Sequence, residues 1–147
     1  PDWKWKIIGT GEEKASLLHE IKNRKLEGHI QIIESVSPNM EKEYLSCSIY
    51  VMTSRFECFP MVLLESLSYG VPVVAFDCPT GPGYIIKNGE DGLLIDKENI
   101  NAMAGALLFL IQNEEKRKQF GKNGRQNIQR YSADKIYELW KPVIGVE

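Results

Sequence analysis

The chain has 147 residues, 43% of them hydrophobic and 26% charged, with a formal charge of −2. That length suits one domain with a continuous core, and that composition excludes a disordered chain. The small net charge excludes the basic field that holds a polyanion, so nucleic acid is not an expected partner. In chain order, Trp5 to Ile8 reads as a strand ending at Gly9, Thr10 and Gly11. From Glu12, the residues Ala15, Leu18 and Ile21 recur at helical spacing among charges. Ile30 to Ile33 is a second strand, Asn39 to Ser46 a helix, and Ile49 to Met52 a third strand. Pro60 to Tyr69 reads as a helix closed by Gly70, with strands at Val71 to Phe76 and Gly92 to Ile95 on either side of a Pro/Gly-rich turn. Three helices follow, Asn99 to Gln112, Glu114 to Tyr131 and Ala133 to Trp140, the last with Ser132 as N-cap. Strands alternating with helices at this period predict right-handed crossovers and a doubly wound, Rossmann-like parallel α/β sheet of about five strands.

No apolar run approaches the roughly 18–20 residues that span a bilayer, and the first residues lack the pattern of a signal peptide. The absence of an initiator Met is read as a sign of a fragment. Cys47, Cys58 and Cys78 are odd in number and lack metal-ligand spacing, so reduced thiols in a cytoplasmic protein are expected. His19 and His29 share no motif and read as surface residues. No Asp-x-Asp cluster follows a strand, so neither a metal nor another cofactor is expected.

In an open parallel sheet, ligands sit beyond the carboxyl ends of the strands. The loop after Met52 runs Thr53-Ser54-Arg55-Phe56-Glu57-Cys58-Phe59-Pro60 into a helix, and Pro60 suits a first helical turn. The free amides of Met61 and Val62 then make an anion site. Glu65 is the odd residue of that helix, whose neighbours Met61, Val62, Leu63, Leu64 and Leu67 are apolar nearly all round and imply burial. A buried carboxylate needs donors. Ribose hydroxyls would serve, and so would an Arg or a helix-end amide, and physics alone leaves the two readings level.

The segment Glu57 to Glu65 resembles the acidic motif of the group 1 glycosyltransferases, a retaining family built from two facing Rossmann-like domains (GT-B). Its context is similar too, through Ser54-Arg55, Gly70 to Val74, Asp77 to Pro82, Asn88 to Leu94 and Tyr131-Ser132, in order and over almost the whole chain. The resemblance implies the C-terminal, donor-binding half of such an enzyme. It implies that Glu65 binds the ribose of a nucleotide sugar and that Glu57 meets the donor sugar at the reacting centre. Backbone amides across Cys58, Phe59, Pro60, Met61 and Val62 would hold sugar hydroxyls and diphosphate oxygens, and Ser35 and Val36 would contact the base. The Asp77 to Pro82 loop resembles users of UDP-linked hexoses or hexosamines. The acceptor would be a glycan or lipid-linked molecule, met through an N-terminal domain, in bacterial surface polysaccharide synthesis. A first strand-helix unit carrying an Arg and a Lys for the diphosphate is expected upstream of Trp3, so this chain alone is expected to be inactive. If that unit normally supplies a central strand, the sheet is expected to leave a gap, re-pair its strands or self-associate through the exposed edge.

Cys58 departs from the family's usual Gly, which would strain a backbone that needed positive φ there. Gly9-Thr10-Gly11 with Glu34 invites a dinucleotide-dehydrogenase reading, but Lys14 stands where Gly or Ala belongs, and Glu12 and Glu13 oppose a pyrophosphate. A noncatalytic nucleotide-sugar module, or a nucleotide-sugar epimerase of the same fold, would also be compatible with these motifs. Lys116, Arg117, Lys118, Lys122, Arg125 and Arg130 form a basic run read as a solvated helix face, with peripheral attachment at the inner face of the membrane as the competing reading.

Overall fold

Strands and helices alternate as β1 (Trp5–Ile8), α1 (Lys14–Asn23), β2 (Ile30–Ile33), α2 (Met40–Ser46), β3 (Tyr50–Met52), α3 (Met61–Ser68), β4 (Val73–Asp77), α4 (Pro82–Ile85) and β5 (Gly92–Asp96). Helices α5 (Ile100–Gln112) and α6 (Glu114–Asn127), a 3-10 turn (Ile128–Tyr131) and α7 (Ala133–Ile144) complete the chain. This is a computed structural model describing residues 3–34 and 40–145. Every strand pairing is parallel, as the alternation requires. The strands do not form one continuous sheet, however: β1 pairs with β2, and β3, β4 and β5 pair in that order. Alternation with helices dictates strand direction, but it leaves open whether β2 and β3 are neighbours. The two groups belong to separate compact units, Pro1–Glu43 and Tyr44–Glu147.

In the first unit the register runs from Trp5 opposite Ile30 to Ile8 opposite Ile33. Of the α1 stripe only Ile21 is buried, while Leu17 and Leu18 are exposed. Ion pairs join Lys14 to Glu34 at 2.5 Å and Lys6 to Glu43 at 2.7 Å.

The second unit is built on β4. Val73, Val74 and Ala75 are fully buried, because the pleat sends alternate side chains into two hydrophobic layers. Val73 and Ala75 pack with Met52, Leu63, Leu67, Ile85 and Ile86. Val74 and Phe76 pack with Met103, Leu110 and Phe120. Helices α3 and α6 approach closely, and a Cβ added at Gly121 would lie 2.0 Å from the Gly70 carbonyl oxygen. The Pro/Gly-rich turn contains a short helix, α4, that the turn reading missed. The single helix expected over Glu114 to Tyr131 breaks into α6 and the 3-10 turn, where the Asn127 amide turns inward to donate to Ile85 O and Asp91 Oδ2.

The basic run of α6 and the 3-10 turn is only partly a solvated face. Lys118 pairs with Glu114 at 2.8 Å, but Arg117 donates to the Ile111 carbonyl at 3.0 Å, Arg125 to the Tyr69 carbonyl at 2.7 Å and Arg130 to the Ile85 carbonyl at 3.0 Å. These guanidinium groups satisfy carbonyls that helix ends leave unpaired. Ser132 does stand at the N-cap of α7, though its side chain makes no capping bond. No helix among the described residues is long and apolar enough to cross a membrane.

Candidate functional site

Beyond β3 the chain leaves regular structure and passes through Glu57 to Pro60, which is the extended N-cap of α3 (φ −72°, ψ 99°) rather than its first helical residue. Its carbonyl accepts the Leu63 amide at 3.0 Å. The amides of Met61 and Val62, in the first turn, have no acceptor within the helix, so the positive end of α3 opens onto the acidic loop. Cys58 takes the place of the family's Gly without strain: the non-glycine residues with positive φ are Lys25 and Glu98 among those described.

The loop after β4 fixes the loop after β3. Thr80 Oγ1 donates to the Glu57 carbonyl. Gly81 has φ +95°, and a Cβ there would lie 2.6 Å from Pro60 Cδ and 3.1 Å from the Cys58 carbonyl oxygen, so conformation and contact both demand glycine. On another side, the Phe59 ring meets Tyr131 edge-on at 5.5 Å, and the Tyr131 hydroxyl donates to the Tyr84 carbonyl at 2.7 Å. Further along the same loop, Lys97 Nζ lies 4.2 Å from the centre of the Phe56 ring and Arg55 pairs with Glu98 at 3.1 Å. The loop is thus positioned through its backbone and its aromatic side chains. Glu57 itself is half-buried.

Glu65 lies within α3, as expected, but the helix is not buried all round. Leu63, Ser66 and Leu67 face the core, whereas Met61 is 57% exposed, and Val62 and Glu65 share that outer face. An eight-residue helix on one side of a sheet covers only one of its own faces, so apolar residues stay exposed beside the carboxylate. The need of a buried acid for donors therefore does not single out Glu65. Its Oε2 accepts the Tyr44 hydroxyl at 2.8 Å. Burial, reinforced by that carboxylate, pushes the Tyr44 phenol well above its ordinary range. The Tyr50 phenol is raised too, by burial first and then by the charges of Glu65, Cys47 and Glu57. Both acidic residues therefore act on one neighbourhood.

Cys58 and Phe59 are exposed and Pro60 is buried, while Ser35 and Val36 lie outside the described residues. Tyr44, Thr80, Gly81 and Tyr131 help to build this site, and sequence reasoning does not single them out as site residues. Thr80 and Gly81 lie in the Asp77 to Pro82 loop and Tyr131 in the Tyr131-Ser132 pair that carry the resemblance, but the contacts of all four cross more than 20 positions of chain, which no local pattern shows. The dinucleotide reading loses its ribose ligand, because Glu34 is engaged by Lys14. A separate polar crevice lined by Lys87, Glu90, Asp91, Asn123, Gln126 and Asn127 shares no residue with either loop. Three or more His, Cys, Asp or Glu side chains do not gather into a metal-binding group among the described residues. What the site offers is amides to which the helix itself gives no acceptor, suited to anionic oxygens, beside carboxylates that accept hydroxyl donors.

Residues 1–127 match the family model described as glycosyl transferases group 1. The chain is 40% identical over 143 residues to the amylovoran biosynthesis glycosyltransferase AmsD of Erwinia amylovora, which covers 97% of this chain and 40% of that protein. A structure of S. aureus TarM with UDP among its bound molecules aligns with a TM-score of 0.88 at 32% identity, over 93% of this chain and 28% of that one. The separately solved C-terminal domain of the group 1 protein LpcC from Francisella tularensis aligns with a TM-score of 0.82 at 26% identity, over 90% of this chain and 72% of that one. The chain therefore belongs to the group 1 glycosyl transferases, in which it forms a C-terminal domain of the GT-B fold.

Proposed function

We propose that this domain binds the donor in a retaining glycosyltransferase that moves a hexose or hexosamine from a uridine diphosphate sugar to a glycan or lipid-linked acceptor. One observation carries the reading: the open amino end of α3 lies between two acidic residues, Glu57 in the loop pinned by Thr80 and Gly81, and Glu65 within the helix. In this reading Glu65 accepts the ribose hydroxyls. Glu57 meets the donor sugar, whose anomeric carbon gains positive character as the diphosphate departs. Amides from Cys58 through Val62 hold sugar hydroxyls and diphosphate oxygens, and Ser35 and Val36 contact the base through their backbone. The UDP bound by the S. aureus relative supports uridine, and the relative named for amylovoran biosynthesis supports a biosynthetic pathway. Bacterial surface polysaccharide synthesis at the inner face of the membrane is part of the proposal. The chain spans 40% of that relative, so turnover is assigned to a longer protein rather than to these residues alone. No metal is needed in this scheme, and transfer should persist in EDTA.

The test is steady-state transfer by the full-length enzyme, first with a panel of UDP, GDP and ADP sugars and then with varied donor at saturating acceptor. Ribose is gripped in ground state and transition state alike, so Glu65→Gln should raise the donor KM by roughly tenfold or more, in line with the ~1.5–3 kcal/mol of a charged hydrogen bond. Glu57→Gln should lower kcat more than it raises KM, because its charge counts most when positive charge develops. Full kcat in Glu57→Gln, with loss of activity at saturating donor in Glu65→Gln, would reverse the two roles.

A further inference from the structure

Glu65 is exposed and ends a flexible side chain, which left alone would sample several rotamers. It is not left alone. Tyr44 is 4% exposed, and its ring stacks on Tyr69 with centroids 5.4 Å apart and planes 7° from parallel. On another side it leans on Tyr50 at 6.1 Å. Tyr50 lies on β3, which is bonded to β4, and Tyr69 caps α3 with its amide on the Glu65 carbonyl at 3.2 Å. The Tyr44 hydroxyl is thereby held in place by a strand and a helix end, and it donates to Glu65 Oε2 at 2.8 Å.

We propose that Tyr44 is the positioning residue for Glu65: it fixes the carboxylate so that its remaining lone pairs accept the two hydroxyls of a ribose. The inference rests on the reading of Glu65 as the ribose ligand. A carboxylate has about four acceptor positions, and the phenol uses one of them. Glu65 Oε1 has no hydrogen-bond partner among the described residues. The bond is charge-assisted, and the raised phenol keeps its proton over the whole working range of pH, so the donor is never lost to ionisation. Tyr44 thus contributes to affinity for the ribose without touching it.

The experiment compares UDP with 2′-deoxy-UDP, by calorimetry on the full-length enzyme, in Tyr44→Phe, Glu65→Ala and the double variant. Phenylalanine keeps the ring contacts and removes only the hydroxyl. Tyr44→Phe should weaken UDP roughly three- to tenfold, the range of one hydrogen bond. It should weaken 2′-deoxy-UDP less, and it should add nothing in the Glu65→Ala background. In turnover it should raise donor KM and leave kcat intact. A merely structural tyrosine would weaken UDP equally in both backgrounds, and that result overturns the proposal even if the variant is less stable. Loss of the ribose preference in Glu65→Ala with none in Tyr44→Phe overturns the role of Tyr44 and leaves the ribose reading standing. A ribose preference that survives Glu65→Ala overturns the ribose reading itself.

Discussion

Asp91, 1% exposed, illustrates how a side chain remote from the acidic loop sets a pH response. Burial raises its pKa above the 3.8 of a free carboxyl, against the lowering effect of bonds from the Lys87 amide at 2.8 Å and the Asn127 side chain at 2.6 Å. An acid whose folded pKa is raised contributes stability that is complete below the unfolded pKa and is lost as pH rises through the folded one. Asn has no proton to lose. The stability of Asp91→Asn relative to the parent should therefore improve as pH rises above 3.8 and level off once Asp91 is fully ionised. Urea denaturation of both proteins at matched pH reads this difference, and a constant difference would mean that burial does not govern Asp91. Among single residues, the placement of Glu57 in a loop and of Glu65 within a helix was legible, Glu65 as the one acid in an apolar helical pattern and Glu57 through the family motif. The exposure of Glu65 was not, since counting apolar neighbours along α3 does not tell which of them the sheet covers. Tyr44 was invisible for a plainer reason: its bond to Glu65 spans 21 positions.

Between elements, the approach of α6 to the end of α3 depends on having no side chain at Gly121. A methyl there would lie 2.0 Å from one backbone oxygen and 2.9 Å from its carbon, and backbone atoms yield less readily than a flexible side chain. Alanine gains roughly 1 kcal/mol in helix propensity over glycine, while overpacking typically costs about 1–3 kcal/mol and more where nothing relaxes. The clash should win, and Gly121→Ala should be destabilised by about 2 kcal/mol or more in thermal and urea melts. Gly105 in α5 is the control, since a Cβ there meets nothing within 4 Å. Gly105→Ala should be stabilised by up to ~1 kcal/mol. If both variants move in the same direction, helix propensity rather than helix contact governs α6. Helix α5 was readable nearly to the residue, because Asn99 caps it with its side chain on the Ala102 amide at 3.0 Å. Helix α7 ran past its predicted end through Pro142 to Ile144, stopped by Gly145 at φ +68°. The break after Asn127 was not readable, because it depends on a carbonyl and a carboxylate more than 35 positions away.

Across the molecule, buried side chains are distributed unequally. In Pro1–Glu43 the one buried hydrophobic side chain among the described residues is Ile21, whereas both faces of β4 are buried in Tyr44–Glu147. Local opening is easiest where few apolar contacts are lost, so amides of β1 and β2 should exchange with deuterium well before those of β4. Equal protection of the two strand groups would contradict that ranking. The parallel direction of all five strands could be read from the sequence, but their grouping could not, because pairing is a choice of neighbour that no local pattern encodes. The arginines that close helix ends also bear on how the domain responds to its medium. The carbonyls they bond are neutral and at short range, so dissolved ions screen those bonds little, and each ion pair of α6 and α7 has at least one well-exposed partner and contributes little to begin with. The thermal midpoint of the domain should therefore shift little between dilute buffer and molar sodium chloride, leaving any strong salt dependence of the enzyme to be traced to its charged donor and not to loosening of the fold.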